Sequence, residues 1–156
     1  ADREQAILLG GFGRAEALLG NVDRATDAFE TALDLAPQAP TPLRLYAETL
    51  AEQASNLDRA LALAQRAVEY APDAPRALGT LGRVQFKREN LTAARKAFER
   101  AVGTGRAPAP VYEHFGDLHR ALGNDSLARR YWQEALDRCV TGCDALRSKL
   151  DALPQR

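Results

Sequence analysis

The chain has 156 residues, enough for one compact domain or a short repeat array and too few for two ordinary domains. Hydrophobic residues make up 46% but aromatic ones only 6%, so the apolar faces are built from small and branched side chains, which favours closely packed helices. Twenty-one basic residues balance 21 acidic ones, which removes the net positive field of a nucleic-acid binder; no nucleic-acid partner is expected, and recognition by charge must be local.

The elements repeat along the chain. An apolar residue followed by a small one recurs at Phe12-Gly13, Tyr46-Ala47, Leu81-Gly82 and Phe115-Gly116, at intervals of 34, 35 and 34. Alanines follow at Ala25, Ala60, Ala94 and Ala128, then Phe29, Ala64, Phe98 and Trp132 four residues on, then Ala32, Ala67, Ala101 and Ala135. The spacing predicts four units, at about 6–39, 40–74, 75–108 and 109–142, each made of two helices. Pro40 and Pro75 open first helices, where a missing amide proton costs nothing. Second helices are expected from about Asp23, Asp58, Thr92 and Ser126. An asparagine stands between the two helices every time, at Asn21, Asn56, Asn90 and Asn124, suited to local hydrogen bonding and to a left-handed backbone. The single extra residue lies between Ala47 and Ala60 and is expected to lengthen a turn. After the fourth unit, Leu146, Leu150 and Leu153 form one stripe at helical spacing, which predicts a closing helix over 143–153.

The small residues carry the packing. Gly13, Ala47, Gly82 and Gly116 let the second helix of their own unit approach, and Ala32, Ala67, Ala101 and Ala135 admit the first helix of the next. Glu16 and Ala64 stand where larger apolar or aromatic side chains are expected, which predicts looser packing there. A single unit cannot bury both faces, so stability comes from stacking and the ends need polar caps.

No set of residues suggests catalysis. Gly10-Gly11-Phe12-Gly13 follows no strand and has the wrong spacing for a phosphate loop, so Gly13 reads as a packing residue, while Gly10 and Gly11 would let a ligand backbone come close. His114 and His119 point in different directions on a helix, and Glu113 with Asp117 reads as an ordinary polar surface, so no metal, cofactor or enzyme activity is expected. Cys139 and Cys143 are two free thiols or one short bridge; in a continuous helix their Cα atoms would be about 6 Å apart. The pair tilts the compartment slightly toward an oxidising one outside the cytoplasm, with the cytoplasm close behind. No apolar run approaches the roughly 18 residues of a membrane span, which predicts a soluble chain without direct membrane insertion. With no initiator Met and a helical pattern under way near Ala1, the sequence reads as an excised piece.

Period, small-residue ladder and the prolines that end repeats, Pro37 and Pro72, together resemble the tetratricopeptide repeat family. The resemblance implies an all-α fold: an α-solenoid of about four helix-turn-helix repeats plus a C-terminal capping helix, forming a right-handed superhelix as a single domain over 1–156. It also implies a concave groove lined by first helices. On this sequence that face carries Arg14 and Ala17, then Arg44, Glu48 and Ala51, then Arg76, Thr80, Arg83, Phe86 and Lys87, then Glu113, Asp117 and Arg120. The middle is basic and the C-terminal end acidic, with Phe86 offering an apolar contact. The family's carboxylate clamp for chaperone tails is expected to be absent, because Gly10, Arg14 and Leu45 stand in place of its lysine and asparagines. The implied function is a protein-interaction module or scaffold that holds a peptide or partner protein, with an acidic segment favoured in the centre. Two rivals remain: a self-assembling segment that stacks through the edge around Ile7 to Leu19, and the non-catalytic arm of a larger enzyme or assembly system.

Overall fold

A computed structural model describes residues 1–154; Gln155 and Arg156, the end of the expected single domain, lie outside the described residues. The described residues form nine helices and no strand: α1 (Asp2–Leu18), α2 (Val22–Leu35), α3 (Pro40–Glu52), α4 (Leu57–Tyr70), α5 (Pro75–Lys87), α6 (Leu91–Gly103), α7 (Ala109–Ala121), α8 (Asp125–Asp137) and α9 (Asp144–Asp151). None is long and apolar enough to cross a membrane. Pro40 and Pro75 sit at the first helical positions, and Pro110 follows the start of α7. Second helices begin one residue earlier than the sequence pattern suggests.

The left-handed residue in the turns is mostly not the asparagine. Gly20, Glu89 and Gly123 take it up, with φ of 81°, 62° and 75°, and the asparagine that follows occupies the helix N-cap. Asn90 caps through its side chain, accepting from the Ala93 amide. The inserted residue makes the second unit different: Ala54 and Asn56 are both left-handed, and Asn56 still accepts the Arg59 amide. The insertion therefore lengthens a turn and leaves both helices intact.

Each helix packs mainly on its partner within the unit and on the helices of the next unit. A Cβ added at Gly13 would stand 3.2 Å from the Phe29 ring, one at Gly82 2.9 Å from Phe98, and one at Gly116 2.4 Å from Trp132. The missing side chain is thus where the aromatic of the second helix lies. Those aromatics also face forward: Phe29 stacks on Tyr46 at 4.6 Å between ring centroids, and Phe98 on Phe115 at 5.5 Å. At the middle interface the corresponding residues are Ala64 and Leu81. Ala64 is fully buried and both belong to one core cluster, so an aliphatic pair closes the wedge where looser packing was expected. Ala32, Ala67, Ala101 and Ala135 are all fully buried. Glu16 is buried too and is satisfied by charge: it accepts from Asn21 Nδ2 at 2.7 Å and pairs with Arg24 at 3.1 Å.

The helix α9 closes the stack. Leu146 and Leu153 are buried in the same cluster as Trp132 and Ala135, while Asp144, Arg147, Ser148 and Asp151 face water. Cys139 and Cys143 form a disulfide with Cα atoms 6.0 Å apart. That separation arises in a turn through Gly142, at φ 70°, and not in a continuous helix. Leu127 stays at the surface, so what α9 covers is Trp132 and the half-buried Leu136.

Gly82→Leu is expected to cost on the order of 1 to 3 kcal/mol in urea unfolding, because Phe98 has no room to give, whereas Lys96→Ala on an exposed face should change stability by less than about 0.5 kcal/mol. Deleting 143–156, with Cys139→Ser to remove the stranded thiol, should lower stability on the order of 3 kcal/mol by uncovering two leucine sites, and should reduce solubility. Unfolding midpoints and soluble yield measure both effects.

Candidate peptide-binding groove

First helices lie side by side, so residues one repeat apart form rows across the concave face. One row reads Arg14, Glu48, Arg83 and Asp117, alternating in sign from unit to unit. Its members meet acids and bases on the neighbouring helices. Glu52, one turn beyond Glu48 on α3, accepts from Arg14 Nη2 of α1 at 2.7 Å and from Arg83 Nη1 of α5 at 2.8 Å. Glu48 accepts from Arg44 at 2.8 Å and lies 3.9 Å from Arg83. Two carboxylates on α3 thereby tie three successive first helices together. Burial alone would raise the Glu52 carboxyl, but hydrogen bonds from Arg14 and Arg83, and their charges, hold it below its ordinary value.

Beside this lattice lies an open cavity of ≈ 180 Å³, where Arg44, Glu48, Arg76, Thr80, Arg83 and His114 meet, with Gly79 and Val111 in its floor. That volume suits one or two side chains of a ligand. Arg44 is half-buried, and its guanidinium is pushed below its ordinary pKa by burial and by Arg76 and Arg14, against the opposing pull of Glu48. Arg76 is exposed and makes no ion pair with any described residue. Four guanidinium groups, Arg14, Arg44, Arg76 and Arg83, thus face two carboxylates, Glu48 and Glu52, and the centre keeps a positive surplus.

The C-terminal end of the face differs from the expected acidic surface. Lys149 of α9 reaches Glu113 Oε1 at 2.7 Å and both Asp117 oxygens at 2.7 and 3.0 Å, and Trp132 Nε1 donates to Asp117 Oδ1 at 3.0 Å. The single ammonium of the capping helix offsets one of the two negative charges of that pair. Its repulsion of an acidic ligand is correspondingly weaker than the sequence alone implies.

Several assigned residues fall elsewhere. Phe86 is half-buried and packs on the core cluster, in the same row as Ala51, which is fully buried. Neither presents an apolar contact to a ligand in the cavity. Lys87 is exposed beside the lengthened turn with Asn56 and Asp58, outside the central cavity. Arg120 is exposed at the turn end and pairs with Asp125. Gly10 is not open to a ligand: a Cβ there would stand 3.1 Å from Pro42, so it is a contact between units, as Gly79 is against Val111. Ala17 is half-buried on α1.

Three residues of the site escaped the sequence reading. Glu52 was legible as the i+4 neighbour of Glu48. His114 shares the row of Thr80, one repeat on. Lys149 carried no signal, since 32 and 36 residues separate it from its partners. His114 Nδ1 lies against the Pro110 carbonyl and must donate to it, which fixes the neutral tautomer with Nε2 as an acceptor. Burial, with the charge of Arg83, lowers its pKa to about 4.

Stacked two-helix units around a lined concave face define an α-solenoid repeat protein. A sequence model of the tetratricopeptide repeat family matches residues 49–110, from the end of α3 to the start of α7. The fold is similar to that of Pseudomonas aeruginosa PilF, at 16% identity and a TM-score of 0.76, covering 96% of this chain and 71% of that one. It is also similar to a tetratricopeptide repeat protein from Parabacteroides merdae, at 15% identity and a TM-score of 0.78, where 92% of this chain covers 55% of the other, about half its length. The first repeat domain of Spaghetti (RPAP3), solved with the HSP90 peptide SRMEEVD, is 20% identical with a TM-score of 0.67, covering 79% of this chain and 97% of that domain. No curated protein matches the sequence.

The neutral state of His114 has a consequence for stability. With a folded pKa near 4 against an ordinary 6.5, the unfolded chain binds the proton more readily, so stability should fall as pH drops from about 6.5 toward 4. His114→Gln is expected to flatten part of this slope in urea midpoints measured between pH 7 and pH 5. His119, buried and also lowered, acts in the same direction.

Proposed function

We propose that this chain is a protein-interaction module that holds an extended segment of a partner across α3, α5 and α7, with an acidic side chain of that segment seated among Arg44, Arg76 and Thr80. The observation that carries this is Arg76, a groove arginine without a carboxylate partner, beside an Arg44 already crowded by positive charge. A ligand carboxylate there receives guanidinium hydrogen bonds that the chain's own acids do not supply. The peptide bound to the similar RPAP3 domain supports a peptide or protein as the partner class. The family's carboxylate clamp does not fit this groove: Gly10 packs on Pro42, Leu45 lines the cavity, and Arg14 is engaged by Glu52. Nothing in the groove argues for a catalytic role, and a scaffold within a larger assembly is the same function at larger scale. Self-association belongs to a different surface, the outer face of α1, and is compatible with an occupied groove.

Fluorescence anisotropy with a labelled peptide of alternating Glu and Leu, against its Lys and Leu counterpart, tests the reading. The acidic peptide should bind, more weakly as salt is raised, and Arg76→Glu should weaken it by about tenfold or more. Arg95→Glu on the second helix α6, away from the groove, should leave the affinity unchanged. Equal binding of both peptides, or full affinity in the Arg76→Glu protein, overturns the proposal.

A further inference from the structure

The outer face of α1 repeats the surface by which each later unit docks on the one before it. Leu8 is in the row of Pro42, Ala77 and Val111; Phe12 is in the row of Tyr46, Leu81 and Phe115; Ala15 is in the row of Thr49, Val84 and Leu118. Eight of those nine later residues are buried in the stack and Leu81 is half-buried. In α1 the same positions are open: Leu8 is 74% exposed, Phe12 45%, and Ala15 is exposed as well. Six of the ten exposed large hydrophobic side chains among the described residues lie in this region: Ile7, Leu8, Phe12, Leu18, Leu19 and Val22. Their combined open surface is on the order of several hundred Å², comparable with the roughly 800 Å² per partner of a standard protein interface. The inter-unit interface thus continues onto a face that nothing among the described residues covers.

We propose that this face pairs with the same face of a second copy of the chain, α1 against α1 in antiparallel fashion, about a two-fold axis between Gly11 and Phe12. The pattern of sizes is self-complementary about that point. Phe12 of one copy comes opposite Gly11 of the other, where a Cβ would meet nothing within 4 Å, and Leu8 comes opposite Ala15. Large residues therefore face small ones at every central position of a helix that spans Asp2–Leu18, with the axis close to its middle. Such an isologous contact closes at two copies. Head-to-tail stacking is disfavoured at the other end, because α9 covers the last unit and turns Asp144, Arg147, Ser148 and Asp151 outward. This surface is separate from the groove, so the pair presents two grooves to two ligand segments.

Light scattering coupled to gel filtration on the full chain, from low micromolar to millimolar concentration, reads the outcome directly. The mass should rise from 17.0 kDa toward twice that value and stop there. Gly11→Leu fills the hole, its Cβ meeting nothing within 4 Å in the chain, and should hold the mass at 17.0 kDa at every concentration while leaving helix content unchanged. Leu8→Lys should do the same, and Leu122→Lys, at an exposed leucine on the turn edge, should still dimerise. A wild-type chain that stays monomeric throughout overturns the proposal and leaves the face to a different helical unit. A dimer that survives both Gly11→Leu and Leu8→Lys, or a mass that grows past two copies, overturns it as well.

Discussion

The contact between a glycine on one helix and an aromatic ring on its partner sets the geometry from which the rest of the molecule follows. At Gly13, Gly82 and Gly116 the absent side chain is the space occupied by Phe29, Phe98 and Trp132. Close approach within the unit places each ring deep in the wedge between units, where Phe29 reaches Tyr46 and Phe98 reaches Phe115. The same residue therefore fixes both the hairpin and its stacking on the next hairpin. Three such contacts, with Ala47 and Ala64 at the same positions of the second unit, bring the first helices into register, and only then do the rows of the concave face exist.

Those rows explain why a chain of no net charge can have a charged groove. Along the central row the sign alternates from Arg14 to Glu48, Arg83 and Asp117, and each neighbour partly neutralises the next. Ion pairs of this kind, about a fifth to a quarter exposed at their side chains, contribute little stability individually. Their effect is on orientation: Glu52 holds Arg14 and Arg83 in place across two interfaces and so restricts how the first three units can rotate against each other. Positive charge is left over where Arg44 and Arg76, from two other rows, come up beside it at the cavity. Lys149 performs the matching task at the other end, where an otherwise bare carboxylate pair would face solvent next to Trp132.

Most of the scaffold was legible from spacing alone. The 34-residue period named Gly82 and Ala94 as packing positions, Pro40 and Pro75 as helix starts and Leu146 as part of a cap, because helix periodicity and steric size act locally and recur. The site was legible to the extent that it follows the same register, which is why Arg44, Glu48, Arg76, Thr80 and Arg83 fall together at the cavity. Phe86 and Arg120 were assigned to the groove although their row, shared with the buried Ala51, turns away from it. Their hydrophobicity and charge gave no sign of that; the twist of the helix did. Glu16 misled in the opposite direction, since a buried carboxylate is tolerable only when groups such as Asn21 and Arg24 reach it.

What the sequence by itself determined was the repeat: four two-helix units, the alanine and glycine ladder, and the closing helix. Local sterics and periodic burial specify these wherever they occur. What only the tertiary structure decided was pairing: that Glu52 joins α1 to α5, that Lys149 pairs with Glu113 and Asp117, that His114 stays neutral in the cavity, and that Arg76 is left without an acid. Charged side chains reach their partners through space, over separations of about 30 residues, and side-chain reach across a stack has no period that a sequence displays.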